Sequence, residues 1–379
     1  MINSKKNILL LHSSNDLYGA SKIFLQLIDL FKSKDFNVHV VLPGKGKLDD
    51  FLNKKDITLS YYELGVLRKK YLNPLGLFNR IVTNLKAIKF LSNYIKDHSI
   101  NLIYTNTSTI LCGGIAAKKN GIPSLFHIHE IPTGNRLYEI FSGKIINIIS
   151  NKVLTVSNSV KSHWLKNIDE NKIERIYNGI IFNKTDSLIK LERNQDDFVI
   201  TSVARLIPYK GHGYFIDIAN ELIKKSPKFK FLIVGDTLPS YVSYEKSIKQ
   251  KVNDLGLENQ IKFLGFRNEV SSILKQSDLF IHPAIAPDPL PTVLFESLHN
   301  DLPSVATNLA GAIEILDNGN NGLLIPYNDP KKAANLINQY CTNIKLQKKH
   351  LKNSKKNFKI NFSSKSFNKN ILKEVNNLL

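Results

Sequence analysis

Short apolar runs alternating with longer amphipathic stretches are the feature that most constrains this chain. Segments 8–11, 38–42, 102–104, 124–128 and 152–156 have the length and apolar content of buried strands. Between them, 21–31, 78–95 and 113–119 repeat apolar residues at helical spacing. Such alternation predicts a parallel sheet covered by helices on both faces. The pattern stops at Tyr177-Asn178-Gly179, a turn signal, and 183–197 is polar without a period. It then restarts, with strands at 198–203, 230–234, 261–263, 279–282, 303–306 and 322–325 and helices at about 211–225, 242–255, 268–275, 292–299 and 330–343.

Two series of similar length predict an α/β chain of two Rossmann-like domains facing a central cleft, with ligands at the carboxyl ends of both sets of strands. The expected division is 1–184, 185–360 and a last segment, 361–379, forming a helix that crosses back to the first domain. A length of 379 residues agrees with two domains of ordinary size. With 42% apolar and 22% charged residues there is surface enough for large cores, which excludes wholesale disorder. Cys112 and Cys341 form no Cys-x-x-Cys pair, so neither a disulfide framework nor a Cys-based zinc site is expected, and a reducing compartment fits. The first apolar run is too short for a signal-peptide core and no long apolar window follows, so the expectation is a cytoplasmic chain that does not span a membrane.

Charge narrows the partners. Lys and Arg exceed Asp and Glu by 52 − 32 = 20, an excess that points to a polyanion. It is concentrated in 331–379, with twelve Lys and one acid, Glu374, and in 64–96, with seven basic residues (among them Lys69 and Lys70) and no acid. No RNA- or DNA-binding motif is present, so nucleic acid is not the expected partner. Within 78–95, Phe78, Ile81, Val82, Leu85, Ile88 and Ile95 form a stripe expected in the core. Lys86, Phe90 and Tyr94 then fall on other faces, a basic surface suited to peripheral contact with an anionic membrane through 64–96 and 331–379.

The residues that carry chemistry cluster in the second series. Asp288-Pro-Leu-Pro-Thr-Val-Leu-Phe-Glu296 puts one carboxylate in a Pro-rich loop and another in the helix that follows, with backbone amides of Leu290, Thr292 and Val293 at the helix start. Amides there suit phosphate or sugar oxygens, and carboxylates accept hydrogen bonds from sugar or ribose hydroxyls. Taken alone, Asp288 also reads as a loop cap and Glu296 as an exposed helix residue. Upstream, Arg205-Leu-Ile-Pro-Tyr-Lys210-Gly-His-Gly follows a strand and sets two cations where they would neutralise a diphosphate, Gly211 and Gly213 permitting close backbone approach. Earlier still come Leu17-Tyr18-Gly19-Ala20-Ser21 before the first helix, Phe126-His127-Ile128-His129-Glu130 and Asn178-Gly179-Ile180.

In this order, the motifs make the sequence resemble the retaining glycosyltransferases of family 4, which have the two-domain GT-B fold; the resemblance spans essentially the whole chain and includes Leu264-Gly265-Phe266. It implies that Arg205 and Lys210 grip the diphosphate of a nucleotide-sugar donor, Glu296 binds ribose and Asp288 the donor sugar, with His129 beside the transferring carbon. Gly19 and Ala20 would approach the phosphate, backbone at Phe266 and Arg267 would hold the base, and Gly235 and Asn178 complete the donor set. A UDP-sugar is the favoured donor, and a glycan or lipid-linked hydroxyl in cell-surface polysaccharide, capsule or lipopolysaccharide synthesis the implied acceptor.

Three departures stand out: Asp288 where the family usually has Glu, Pro291 where it tends to have Gly, and Tyr18-Gly19 for the usual Gly-Gly. No Asp-x-Asp occurs, so the cations are expected to stabilise the leaving diphosphate without a metal or other cofactor. Two alternatives stay open. One is a nucleotide-sugar epimerase of the same fold; the other is a metal-dependent hydrolase using His127 and His129, whose spacing on one strand suits a metal.

Overall fold

The structure, a computed structural model, describes residues 5–16, 19–68, 71, 73–132, 136–182 and 189–379. They divide into two compact units, Met1–Gly179 with Ser364–Leu379, and Ile180–Ser363. The expected boundary after residue 184 lies outside the described residues.

The first unit contains β1 (Asn7–Leu11), α1 (Gly19–Lys32), β2 (Asn37–Leu42), α2 (Asp49–Leu52), β3 (Thr58–Tyr61), α3 (Pro74–Asp97), β4 (Leu102–Thr105), α4 (Cys112–Lys119), β5 (Ser124–Ile128), α5 (Arg136–Ile149), β6 (Lys152–Thr155), α6 (Asn158–Trp164) and β7 (Ile173–Arg175). Its seven strands lie in the order β3, β2, β1, β4, β5, β6, β7. All pairings are parallel, Ile8 standing between Val38 and Leu102. Successive side chains of a strand point to opposite faces, so the run Ile8-Leu9-Leu10-Leu11 feeds two cores. Ile8 and Leu10 pack with α1, while Leu9 and Leu11 pack under α3 and α4.

The second unit runs β8 (Phe198–Val203), α7 (His212–Ile223), β9 (Phe229–Val234), α8 (Val242–Asp254), β10 (Ile261–Gly265), α9 (Val270–Lys275), β11 (Leu279–His282), α10 (Thr292–His299), β12 (Ser304–Thr307), α11 (Ala310–Ile315), β13 (Leu323–Ile325), α12 (Pro330–Thr342) and α13 (Ile344–Asn357). Its six parallel strands follow the order β10, β9, β8, β11, β12, β13. The last helix, α14 (Ser364–Asn376), belongs to the first unit, where Phe367, Ile371 and Val375 join the core beside Phe24 and Leu154. Gly179 lets it pass: a Cβ there would lie 2.6 Å from Phe367 Cβ and 2.8 Å from Ser364 Cα.

Of the stripe expected in the core of α3, Ile88 and Ile95 pack there, while its amino-terminal part faces outward. Phe78, Ile81 and Leu85 are exposed, whereas Ala87, Leu91, Tyr94 and Ile95 are buried. Tyr94 hydroxyl meets His39 Nδ1 at 3.2 Å, and Phe90 stacks on Tyr62 at 4.1 Å, so neither aromatic is on an outer surface. The reason is length. A 24-residue helix spans ~36 Å whereas the four residues of β4 span ~13 Å, so only the carboxyl half of α3 lies over the sheet. No described helix is long and apolar enough to cross a membrane.

Candidate active site

In the second unit, loops leaving the carboxyl ends of adjacent strands are hydrogen-bonded side by side. Leu206 N–H donates to Asp236 O and Gly235 N–H to Gly265 O, both at 2.9 Å, linking the loops after β8, β9 and β10. On the other side, Ile285 N–H donates to Tyr209 O at 3.1 Å, linking the β8 and β11 loops. Arg205, Lys210, Gly235, Phe266, Arg267 and Asp288 therefore share one edge of the sheet.

Glycines make this packing possible, for a reason different from the expected one. Gly211 has φ 77°, and a Cβ would sit 1.8 Å from Pro283 O, so its need for hydrogen is set by the protein itself. Gly235 is likewise confined by Ala204 O at 1.9 Å, whereas a side chain at Gly19 or Gly213 would meet open space. Gly311, which sequence reasoning missed, has its would-be Cβ 2.2 Å from Pro289 O and donates its N–H to Asp288 O at 3.0 Å. A small residue just after a strand was the available signal.

Electrostatics concentrate on Asp288. Lys210 Nζ donates to its Oδ2, and His282 Nε2 lies 3.5 Å from the same oxygen, within charge range but without hydrogen-bond geometry. Burial alone would push the carboxyl up, but Lys210, His282 and Arg205 hold it below the usual carboxylate range. Burial takes His282 and His212 down to about 4, so both rings are neutral at pH 7. Among the described residues neither ring nitrogen of His282 meets a hydrogen-bond partner. Next to this pair α10 begins at Thr292, preceded by the buried Leu290, and the first amides of a helix, here Thr292 and Val293, have no intrahelical acceptor. Glu296, half-buried, lies one turn further along.

The first unit assembles a different set at the ends of β1, β4 and β5. His129 Nε2 meets Asn106 Oδ1 at 2.9 Å, and Asn106 Nδ2 reaches Ala20 O and His12 Nδ1, each at 3.3 Å. His12 Nε2 contacts Ser21 Oγ at 3.0 Å. Burial pushes His12 to about 4 and His129 well below its ordinary value. Because Asn106 Oδ1 can only accept, it keeps the proton of neutral His129 on Nε2 and leaves Nδ1 as the acceptor. His12 and Asn106 were not singled out in the sequence, though each is a polar residue ending an apolar run. Glu130 is absorbed locally, accepting from Thr107 Oγ1 at 2.5 Å and from the amides of Ser108 and His129 at 3.2 Å. His127 Nδ1 is engaged by Tyr104 hydroxyl at 2.9 Å, and among the described residues no three His, Cys, Asp or Glu side chains form a metal-holding group. Asn178 is buried in this unit with its Oδ1 unpartnered; Tyr18 lies outside the described residues.

Comparison with known proteins gives the family and the fold. The family pattern described as glycosyl transferases group 1 matches residues 183–357, and that of Glycosyltransferase Family 4 matches residues 18–183. Among curated relatives, the UDP-Gal:alpha-D-GlcNAc-diphosphoundecaprenol alpha-1,3-galactosyltransferase of Escherichia coli is 26% identical, over 86% of this chain and 89% of its own length. An uncharacterized glycosyltransferase of Methanocaldococcus jannaschii is 27% identical, over 89% and 88%. Among solved structures, Anabaena HepE in complex with UDP and glucose superposes with a TM-score of 0.79 at 23% identity, over 97% of this chain and 99% of that one. The lipopolysaccharide outer core galactosyltransferase WaaB superposes at 0.72 and 16%, over 97% and 99%. These likenesses show a GT-B fold.

Proposed function

Since the chain belongs to the family 4 glycosyltransferases, we propose that it transfers a hexose, with retention of configuration, from a UDP-sugar to a hydroxyl of a lipid-linked or polysaccharide acceptor in cell-surface glycan synthesis. The observation that carries this reading is the Lys210–Asp288 pair with Arg205 beside it, on a strand edge four residues before the first amides of α10. Cleavage of the sugar–phosphate bond leaves negative charge on the departing diphosphate, which Arg205, Lys210 and those amides stabilise without reorganising. Asp288 holds hydroxyls of the donor sugar and orients Lys210. Glu296 binds ribose, and the backbone of Gly235, Phe266 and Arg267 holds the base. Neutral His129, oriented by Asn106, offers Nδ1 as an acceptor beside the transferring carbon, near Gly19 and Ala20. The departing phosphate oxygen takes the acceptor's proton. In this reading no metal takes part, residues 185–360 bind donor and residues 1–184 bind acceptor.

Because a lipid-linked acceptor resides in a membrane, we place the enzyme in the cytoplasm with peripheral contact to the inner face through 64–96 and 331–379. Melting-temperature shifts with UDP, GDP, ADP and their sugars test the donor: UDP ligands are expected to raise the transition, and a response only to GDP or ADP would reassign it. Activity unchanged by chelator is expected. An isomerised sugar from donor alone would instead favour the epimerase.

A further inference from the structure

Eight of the eighteen large hydrophobics exposed among the described residues lie on two helices of the first unit: Leu75, Leu77, Phe78, Ile81 and Leu85 on α3, and Leu137, Phe141 and Ile148 on α5. Their exposure is high, 84% for Leu75, 67% for Phe78 and 79% for Leu137. They are ordered as stripes. Phe78, Leu85, Lys89 and Lys96 follow one another at helical spacing on the outer side of α3, apolar first and basic after. On α5, Leu137, Phe141 and Ile148 recur at helical spacing with Lys144 between the last two. Between the two helices lies α4, packed on α3 and touching α5, with Lys118 and Lys119 exposed. Beside α3, Tyr61, Tyr62, Glu63, Asn79 and Lys86 line an open groove of about 550 Å³, Glu63 lying 4.0 Å from Arg80.

We propose that the outer faces of α3 and α5 insert their apolar stripes into the surface of an anionic bilayer, the lysines between and behind them meeting lipid phosphates; this rests on the membrane contact proposed above and replaces a purely electrostatic contact by an inserted one. Contiguous apolar stripes of this size on a monomer mark an interaction surface. Amphipathic helices rimmed by lysine suit an interface in which one side is hydrocarbon and the other phosphate. Across the three helices the acids are Asp97, at the far end of α3, and Glu139, whose carboxylate lies 3.8 Å from the half-buried ring of His163. A second copy of the chain would set lysine against lysine with no carboxylate on either stripe to pair them, so the bilayer is the fitting occupant.

The test uses vesicles of phosphatidylcholine with and without phosphatidylglycerol. The chain has one tryptophan, Trp164, which is buried, so Phe78→Trp and Phe141→Trp report their own surroundings. Both are expected to shift to the blue and to be quenched by brominated lipid when phosphatidylglycerol is present. Co-sedimentation is expected to weaken about tenfold or more in Leu75→Ser/Phe78→Ser and in Leu137→Ser/Phe141→Ser, because each pair removes two inserted side chains. Transfer to a detergent-solubilised acceptor should persist in these variants. Wild-type protein that transfers sugar but does not sediment with phosphatidylglycerol vesicles overturns the insertion and leaves the transferase reading intact; loss of all transfer in the wild type strikes that reading instead. Unshifted tryptophans on bound protein, or a wild-type dimer that the serine variants dissociate, also overturn it.

Discussion

Both units end their strands on a ring of buried polar side chains, yet the two rings are built on opposite electrostatic terms. The second unit holds ionised groups, Lys210 against Asp288 with Arg205 near, in a setting where each charge is compensated by the others. The first holds uncharged histidines joined through Asn106. In the proposed function that difference divides the labour: a leaving diphosphate needs fixed cations, whereas positioning a sugar needs hydrogen bonds of defined direction.

Lys210→Ala is the hardest blow to this comparison. It should lower kcat/KM by about 10²- to 10³-fold and abolish the melting shift with UDP, with the folded state retained by circular dichroism. Turnover near that of the wild type would end the assignment of charge stabilisation to the second unit.

Acid should next tell the neutral histidines, present in both rings, from the second unit's carboxylate. His12 and His282 fall to about 4 on folding, below the ordinary value near 6.5, so their contribution is complete above about 6.5 and is lost as pH falls toward 4. Each is worth on the order of 3 kcal/mol by that shift. Asp288, whose folded value is also depressed, adds a second limb: its stabilisation is present above the unfolded carboxylate range and goes as pH drops below it. Denaturant melts across this range should show the first limb reduced in His12→Gln and the lower limb reduced in Asp288→Asn. A flat profile from pH 7 to 5 would refute the buried neutral histidines.

Smaller effects sharpen the division. His129→Ala should cost about tenfold in kcat, the worth of one lost hydrogen bond, while leaving the UDP melting shift unchanged. A lost UDP shift in that variant would move donor binding into the first unit's ring. Asp288→Glu, one methylene longer, should change the donor KM by less than about tenfold; a larger loss would mean that the Lys210 geometry tolerates no extension.

Strands buried on both faces were the most legible part of the fold, because a run such as Phe198–Val203 leaves no other use for six apolar or small residues. Short or polar edges were not. Thr58–Tyr61 and Ile173–Arg175 lie at the two margins of the first sheet, where one side of the strand is unpaired and the apolar run can be brief. Helix α5 went unseen since Leu137, Phe141 and Ile148 spoil the expected polar face, and Phe78, Ile81 and Leu85 of α3 were assigned to the core for the same reason. Periodicity reports which residues share a side; it does not say whether that side meets the core. Charged and glycine positions of the second unit could be picked out as Arg205, Lys210 and Asp288 because they interrupt strand-to-helix junctions. The Asn106 network could not, as its members are separated by up to 117 positions between His12 and His129 and meet only after the sheet forms.

The return of α14 to the first sheet reverses the order in which the chain can be finished. Ile180–Ser363 is an uninterrupted stretch that can fold as soon as it has been made, whereas the earlier stretch lacks Phe367, Ile371 and Val375 until they too have been made. The half synthesised first is thus the half completed last.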